Sequence, residues 1–512
     1  MLVKIVLLAL FIAVMAGVGV YCRKKAVDVS GFVLGSRNVG PWLTAFAYGT
    51  SYFSAVVFVG YAGQFGWNFG LSAVWIGLGN AFVGSLLAWQ VMGRRTRLMT
   101  QHLYSATMPD FFGKRYDSKP IKLAASALIF VFLIPYSASV YKGLSRLFSM
   151  AFGLPFEYCI IGMAALTALY VILGGYMATA VNDFIQGIIM LAGITAVIFA
   201  ALVQKGGVAD AVGALSGVSD PAVPGMASPF TSVFGPNPVN LLGVVVLTSL
   251  GAWGLPQMVH KFYAIKNDKS IGISAVVSTA FAVVIAGGSY FLGAFGRIFY
   301  TAPEGGRPVF DDIVPFILSG LPDALIGVVL VLVLSASMST LSSVVIASSS
   351  TLTVDFLKGL RRKDMPPKLQ VALIRGFCAV FVLLSVLLAM DNNPNNIITS
   401  LMSWSWGALA GAFLGPFLYG LFWKGVTRAG VWASFASGVV ITLTGFVIFY
   451  TKHNNEVFTG ALRLLNSPIN IGACAILMSL VVVPLVSIFT PRLDKSVTDR
   501  AFAALSQARS KE

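Results

Sequence analysis

Long apolar runs alternate with short polar stretches along the whole chain, and the length of the runs is the one a bilayer sets. A hydrocarbon core about 30 Å thick needs roughly 20 apolar residues per spanning helix. Such runs lie approximately at 3–21, 42–66, 71–93, 122–149, 157–176, 182–204, 238–259, 270–299, 322–350, 371–391, 397–423, 430–450 and 469–489. The pattern predicts an all-α integral membrane protein of about thirteen transmembrane helices, because only helices satisfy their own backbone polar groups segment by segment in lipid. The first run, Val3 to Cys22, is followed by its strongest positive cluster, Arg23-Lys24-Lys25, and no small-residue cleavage site closes it. It is therefore expected to be a retained helix and not a removed signal, with its amino terminus outside.

Composition agrees. The 512 residues are 57% hydrophobic and 11% charged, whereas soluble proteins carry about a quarter charged residues. The net charge of +16 could suggest nucleic acid, but the basic residues sit in short loops between apolar runs, which is a topology signal. Thirteen crossings that start outside place 27 of the 35 lysines and arginines in inner segments. That asymmetry predicts a multi-pass protein of the cell membrane with a cytoplasmic carboxyl terminus. Cys22, Cys159, Cys378 and Cys474 fall in or at the ends of apolar runs, so neither a disulfide nor a metal site is expected.

The longest outer loop, Lys205 to Asn240, is rich in Gly, Ser, Pro and Ala and separates helices two to six from helices seven to eleven. Five is odd, so the two blocks must sit in the membrane with opposite orientation, as in inverted-repeat transporters. The expected organisation is an N-terminal helix and cytoplasmic loop (1–40), a first repeat (41–205), an extracellular loop (206–237) and a second repeat (238–425). Two C-terminal helices (426–490) and a cytoplasmic tail (491–512) complete it. The first helix of each repeat carries helix breakers at comparable depth. Gly49, Gly60 and Gly63 surround Thr50-Ser51-Tyr52-Phe53-Ser54, while Gly251, Gly254 and Pro256 surround Trp253. Glycine also lets membrane helices pack closely, but a matched pair favours two broken helices, which line a cavity where they occur.

The ninth run reads VLVLSASMSTLSSVVIASSSTLTVDF. Ser335 with Ser339, and Ser339 with Ser342 and Ser343, stand three or four residues apart and share a face. Hydroxyls and backbone carbonyls can ligate a hard cation without burying a full charge; they can equally bond back to their own helix or to a neighbour. Asp183 stands almost alone as an acid within the spans, either as a functional carboxylate or as a cap at the start of the sixth helix. Lys142 could meet a solute carboxylate or snorkel to the interface. His102, His260 and His453 fall in assigned loops without partners at catalytic spacing and are expected to be solvated.

Three segments resemble the sodium:solute symporter family over roughly residues 3–490: GGYMATAVNDFIQ, ASMSTLSS and GTSYFSAVVFVGYAG. The resemblance implies a leucine-transporter-like fold, a 5+5 inverted repeat with one extra N-terminal and two extra C-terminal helices. It further implies a coupling sodium ion held by the carbonyls of Thr50, Phe53 and Ala336 and the hydroxyls of Ser339 and Thr340. Some members of the family bind a second sodium, for which Asp183, Ser339, Ser342 and Ser343 are the matching groups. Tyr52 departs from the pattern, standing where similar proline carriers have an aspartate. YSASVYKGLSRLF and AWGLPQMVHKF look like proline-carrier segments, so Tyr136 and Trp253, with Ser54, Val56 and Gln257, are the expected solute-site residues. Val56 replaces an aromatic of those carriers, and RRTRLMTQHLYSATMPDFF resembles the pantothenate branch, which widens the class to small carboxylate-bearing solutes.

The expected function is sodium-coupled import of a small organic solute by alternating access, with a lipid bilayer, sodium and solute as the partners and no nucleic acid or obligatory protein. A proton-coupled or uncoupled carrier of the same fold, or a transporter-derived sensor, stays open. An enzyme is not expected, since no nucleophile, base or cofactor loop is evident.

Overall fold

The computed structural model describes residues 2–22, 29–220, 223–302, 308–360, 365–391, 397–452 and 460–509. Arg23-Lys24-Lys25, Arg307, Arg361-Arg362-Lys363, His453 and Lys511 lie outside the described residues. Among those described, the regular structure is helical, and the only strand-like feature is a parallel bridge between Val39 and Ile265. Ten helices are long and apolar enough to cross a bilayer, and the pair Pro238–Gly254 and Pro256–Ala264, bent by 47°, makes an eleventh. The other two expected spans are the segment that starts at Pro41 and the one that starts at Phe156, and neither forms a separate long helix.

The sixth span begins earlier than expected, at Tyr176, and runs helically to Val203. Asp183 therefore lies inside a helix, and the capping alternative for it falls.

Ion pairs sort the ends of the bundle. Lys4 with Asp323 (2.8 Å) and Arg146 with Asp312 (3.7 Å) join residues assigned to the outer side. Arg97 with Asp268 (2.8 Å), Lys122 with Asp110 (2.7 Å) and Lys424 with Asp499 (2.7 Å) join residues assigned to the inner side. The tail is not a free strand. Helix Lys495–Arg509 packs on helix Arg94–His102, and the half-buried His102 ring meets the Arg500 carbonyl at 2.9 Å, so this histidine is not simply solvated.

The hydroxyl-rich helix Asp323–Ser350 is buried on nearly all sides from Ile326 onward. It has no polar face to give to water, so its place is the centre of the bundle. There it touches Leu2–Cys22, Pro41–Tyr52, Lys119–Phe152 and Phe156–Val203. Glycine sets one crossing that frames this centre. A Cβ on Gly66 would stand 2.0 Å from the Gly293 backbone, and one on Gly293 would stand 2.0 Å from the Ala62 carbonyl oxygen. Helices Ala62–Phe69 and Gly288–Ala294 can therefore approach this closely only because neither position carries a side chain.

Candidate functional site

Helix Pro41–Tyr52 begins with proline in its first turn, where the missing N–H costs nothing, and stops at Phe53, whose backbone is extended (φ −111°, ψ 105°). The chain turns helical again from Val56, with Ser54 as the local cap: its hydroxyl accepts from Val56 N at 3.2 Å and its carbonyl from Val57 N at 3.0 Å. The second repeat breaks in the same way at Leu255 (φ −84°, ψ 126°), between Gly251–Gly254 and Pro256–Ala264. Both breaks fall among the glycines and the proline that predicted them.

Breaking the first helix frees carbonyls of its last turn. The Thr50 and Ser51 carbonyls have no main-chain partner beyond the break among the described residues, and the hydroxyl-rich helix faces them. Thr340 Oγ1 stands 3.3 Å from the Thr50 oxygen, 3.3 Å from the Ser51 oxygen and 3.1 Å from the Ala336 oxygen of its own helix. Ser339 donates to Thr50 Oγ1 at 2.8 Å, and Thr50 in turn donates to the Phe46 carbonyl at 2.7 Å. Thr50, Ser339 and Thr340 are fully buried. One hydroxyl carries one hydrogen, yet three carbonyl oxygens crowd around Thr340. The cluster has more acceptors than donors, and a hard monovalent cation is the simplest group that satisfies the surplus. Phe53 sits at the break and, with Ser54 and Ala336, lines a cavity of only about 10 Å³ beside this cluster.

A second polar group lies along the same face. Asp183 is fully buried, and neither carboxylate oxygen has a hydrogen-bond partner among the described residues. Ser342 donates back to the Ser339 carbonyl at 2.9 Å, while Ser343 pairs with the Ser51 hydroxyl at 2.8 Å and accepts from Lys261 Nζ at 3.1 Å. Sequence reasoning assigned Lys261 to a basic loop. It lies instead on helix Pro256–Ala264 with 1% of its surface exposed. His260 beside it is not solvated either, because its ring packs edge-on against Tyr176 at 5.4 Å.

Of the expected solute residues, Tyr136 is buried with its hydroxyl beside those of Ser54 and Thr340, which ties it to the oxygen cluster. Val56 is fully buried, and both amide atoms of the buried Gln257 lack hydrogen-bond partners among the described residues. Trp253 turns its indole N–H to the Val83 carbonyl at 3.0 Å, and the ring that meets Tyr136 is Trp406, at 5.7 Å. Trp406 also stacks on Tyr52 at 6.1 Å. Sequence reasoning missed it, since nothing marks one tryptophan in an apolar run. Tyr52, in place of an aspartate, donates to the Thr248 carbonyl at 2.5 Å and so links the two broken helices. Lys142 donates to the Asp391 carbonyl at 2.9 Å, just past helix Pro367–Ala389.

Residues 32–438 match the model of the sodium:solute symporter family. The chain belongs to that family. This symporter is 29% identical, over 476 residues and 88% of each chain, to sodium/proline symporters of Staphylococcus aureus strains JH9 and JH1. Among solved structures it resembles a Na+-coupled sialic acid symporter in a substrate-bound, outward-open state, with a TM-score of 0.73, 15% identity and coverage of 96% of this chain and 98% of the other. It also resembles Mhp1, a nucleobase-cation-symport-1 family transporter, with a TM-score of 0.51, 15% identity and coverage of 92% and 97%. These likenesses show the leucine-transporter-like fold expected from the sequence. The symporter is a membrane transporter and not an enzyme, with sodium as its coupling ion.

Proposed function

We propose that this protein imports a small organic solute, an amino acid such as proline or another small carboxylate, together with sodium by alternating access. Its lysine- and arginine-rich end faces the cytoplasm in this reading. The observation that carries it is the acceptor surplus at the first break: the carbonyls of Thr50, Ser51 and Ala336 with the hydroxyls of Ser339 and Thr340. Phe53 adds its carbonyl from the break itself. Because the oxygens come from two different helices, an ion among them ties the broken segment to the hydroxyl-rich helix and sets the shape of the solute site next to Tyr136. A cavity of about 10 Å³ admits little more than one water. A solute therefore reaches Ser54 only after the surrounding helices separate, which is the motion alternating access supplies.

The driving force suffices. One charge crossing 100 mV yields about 2.3 kcal/mol, enough for a roughly fiftyfold solute gradient before the sodium gradient is added. Proteoliposomes with an imposed inward sodium gradient, offered labelled proline, pantothenate and other small carboxylates, provide the test. Uptake of at least one of these solutes should collapse when sodium is replaced by choline. Uptake indifferent to sodium would make the protein a proton-coupled or uncoupled carrier and refute the reading.

A further inference from the structure

Lys261 brings a full charge to the middle of the cation-binding region. It lies on helix Pro256–Ala264, which follows the second break, yet its ammonium reaches the hydroxyl-rich helix and donates to Ser343 Oγ at 3.1 Å. The ammonium also stands 5.2 Å over the centre of the Tyr176 ring, a cation–π arrangement that partly replaces lost water. Asp183, buried beside the Ser339 hydroxyl, attracts this ammonium without closing to an ion pair within 4 Å. A buried charge left alone costs several kcal/mol, so each of these two groups stabilises the other.

The groups that would hold a second sodium are Asp183, Ser339, Ser342 and Ser343. Here the Ser343 hydroxyl oxygen already receives the ammonium, and the same ammonium attracts the Asp183 carboxylate. Adding a sodium ion would place two positive charges around one carboxylate. Two like charges about 4 Å apart repel by about 4 kcal/mol at the effective dielectric of a protein, a thousandfold loss of affinity. We propose that Lys261 is a tethered cation holding, through Asp183 and Ser343, the place of a second sodium ion, so that one sodium moves per cycle. This inference rests on the sodium reading of the first oxygen cluster and adds its stoichiometry. The tethered charge stays with the protein and does not leave with the solute, so the net charge carried inward with a neutral solute is that of one ion.

Equilibrium binding of sodium-22 to the purified full-length protein tests it without knowledge of the solute. Wild type should bind one ion per chain with a Hill coefficient of one. Lys261→Met and Lys261→Gln, checked for monodispersity, should bind two, and adding Asp183→Asn should return the count to one. Two ions on the wild type, or a folded Lys261 variant that still binds one, would overturn the proposal. Should neither Lys261 variant fold, the wild-type count decides alone: one ion that is lost in Thr340→Val supports the proposal and two ions overturn it. A wild type that binds no sodium overturns the underlying sodium reading as well, and that outcome is distinct because it appears before any variant is made.

Discussion

Thr340→Val is the sharpest perturbation of the oxygen cluster, because valine keeps the shape of threonine and removes only the hydroxyl. Without an ion, that hydroxyl donates over 3.1 to 3.3 Å and is shared among three carbonyls, so no single strong bond is lost. With sodium present, its oxygen becomes a ligand to a full charge, and a hydrogen-bonding contact to a charged group contributes about 1.5–3 kcal/mol. At about 1.4 kcal/mol per factor of ten, the half-saturating sodium concentration should rise about tenfold to a hundredfold. The assay is the sodium dependence of initial uptake rates in proteoliposomes, repeated as sodium-22 binding in detergent. Ser337→Ala is the matched control: it sits on the same helix, equally buried, but its hydroxyl donates to the Val333 carbonyl behind it at 2.7 Å. Its sodium dependence should equal that of wild type. If Thr340→Val and Ser337→Ala both stay within about twofold of wild type, a change of under about half a kcal/mol, the oxygen cluster is not the ion site.

Gly66→Ala should lower the melting temperature and the folded yield, since its Cβ would stand 2.0 Å from backbone that cannot move aside, whereas Gly162→Ala, with nothing within 4 Å, should be neutral; equal melting temperatures would refute the close crossing. Trp406→Ala should raise the half-saturating solute concentration about tenfold through loss of the ring against Tyr136 and Tyr52, and should leave half-saturating sodium within about threefold; the reverse pattern would remove Trp406 from the solute site. Asp110 lies on helix Met108–Arg115, outside the spans. Burial works to raise its carboxyl, but Lys122 and Lys114 at 2.7 and 2.8 Å outweigh that and hold it below the ordinary value. A depressed carboxyl stabilises the fold above its unfolded pKa near about 4, and that stabilisation is lost as pH falls through the folded value. Wild type should therefore melt above Asp110→Asn near neutral pH, with the gap closing below about pH 4; a gap constant into strong acid would refute the pairing.

What could be read from the sequence is what a one-dimensional pattern encodes. The apolar runs gave the spans, since hydrocarbon thickness fixes their length, and glycines with a proline gave both breaks. The hydroxyl spacing put Ser335, Ser339, Ser342 and Ser343 on one face, and it was the family resemblance that set Ser339 and Thr340 against Thr50, where the fold brings them. Three features escaped for a common reason. Lys261 sits next to the apolar end of one run and shares a short stretch with Lys266 and Lys269, so on charge alone it belongs to their loop; only the tertiary fold carries it to Ser343. His260 was misjudged with it. Trp406 lies in a run with Trp404 and Phe413 and owes its position to Tyr52 and Tyr136, which are distant in sequence. The sixth span starts at Tyr176 and not at Asn182, because Tyr176 to Val181 carry no local mark of a boundary.

Ser51 shows how the two polar groups depend on each other. Its carbonyl faces Thr340 and its hydroxyl pairs with Ser343, which accepts from Lys261. One residue at the first break thus touches both the acceptor-rich cluster and the hydroxyl that anchors a cation from the second broken helix. The two groups have opposite needs. The freed carbonyls of Thr50 and Ser51 face Thr340 without a positive partner, whereas Lys261 brings a positive charge to Ser343 and attracts Asp183. In the proposed reading a sodium ion gains most at Thr340, where it meets the Ser51 carbonyl while the hydroxyl of the same residue pairs with Ser343. The first helix of each repeat thus touches one central helix through adjacent side chains, and on the proposed reading filling the single ion site should shift both halves of the inverted repeat together.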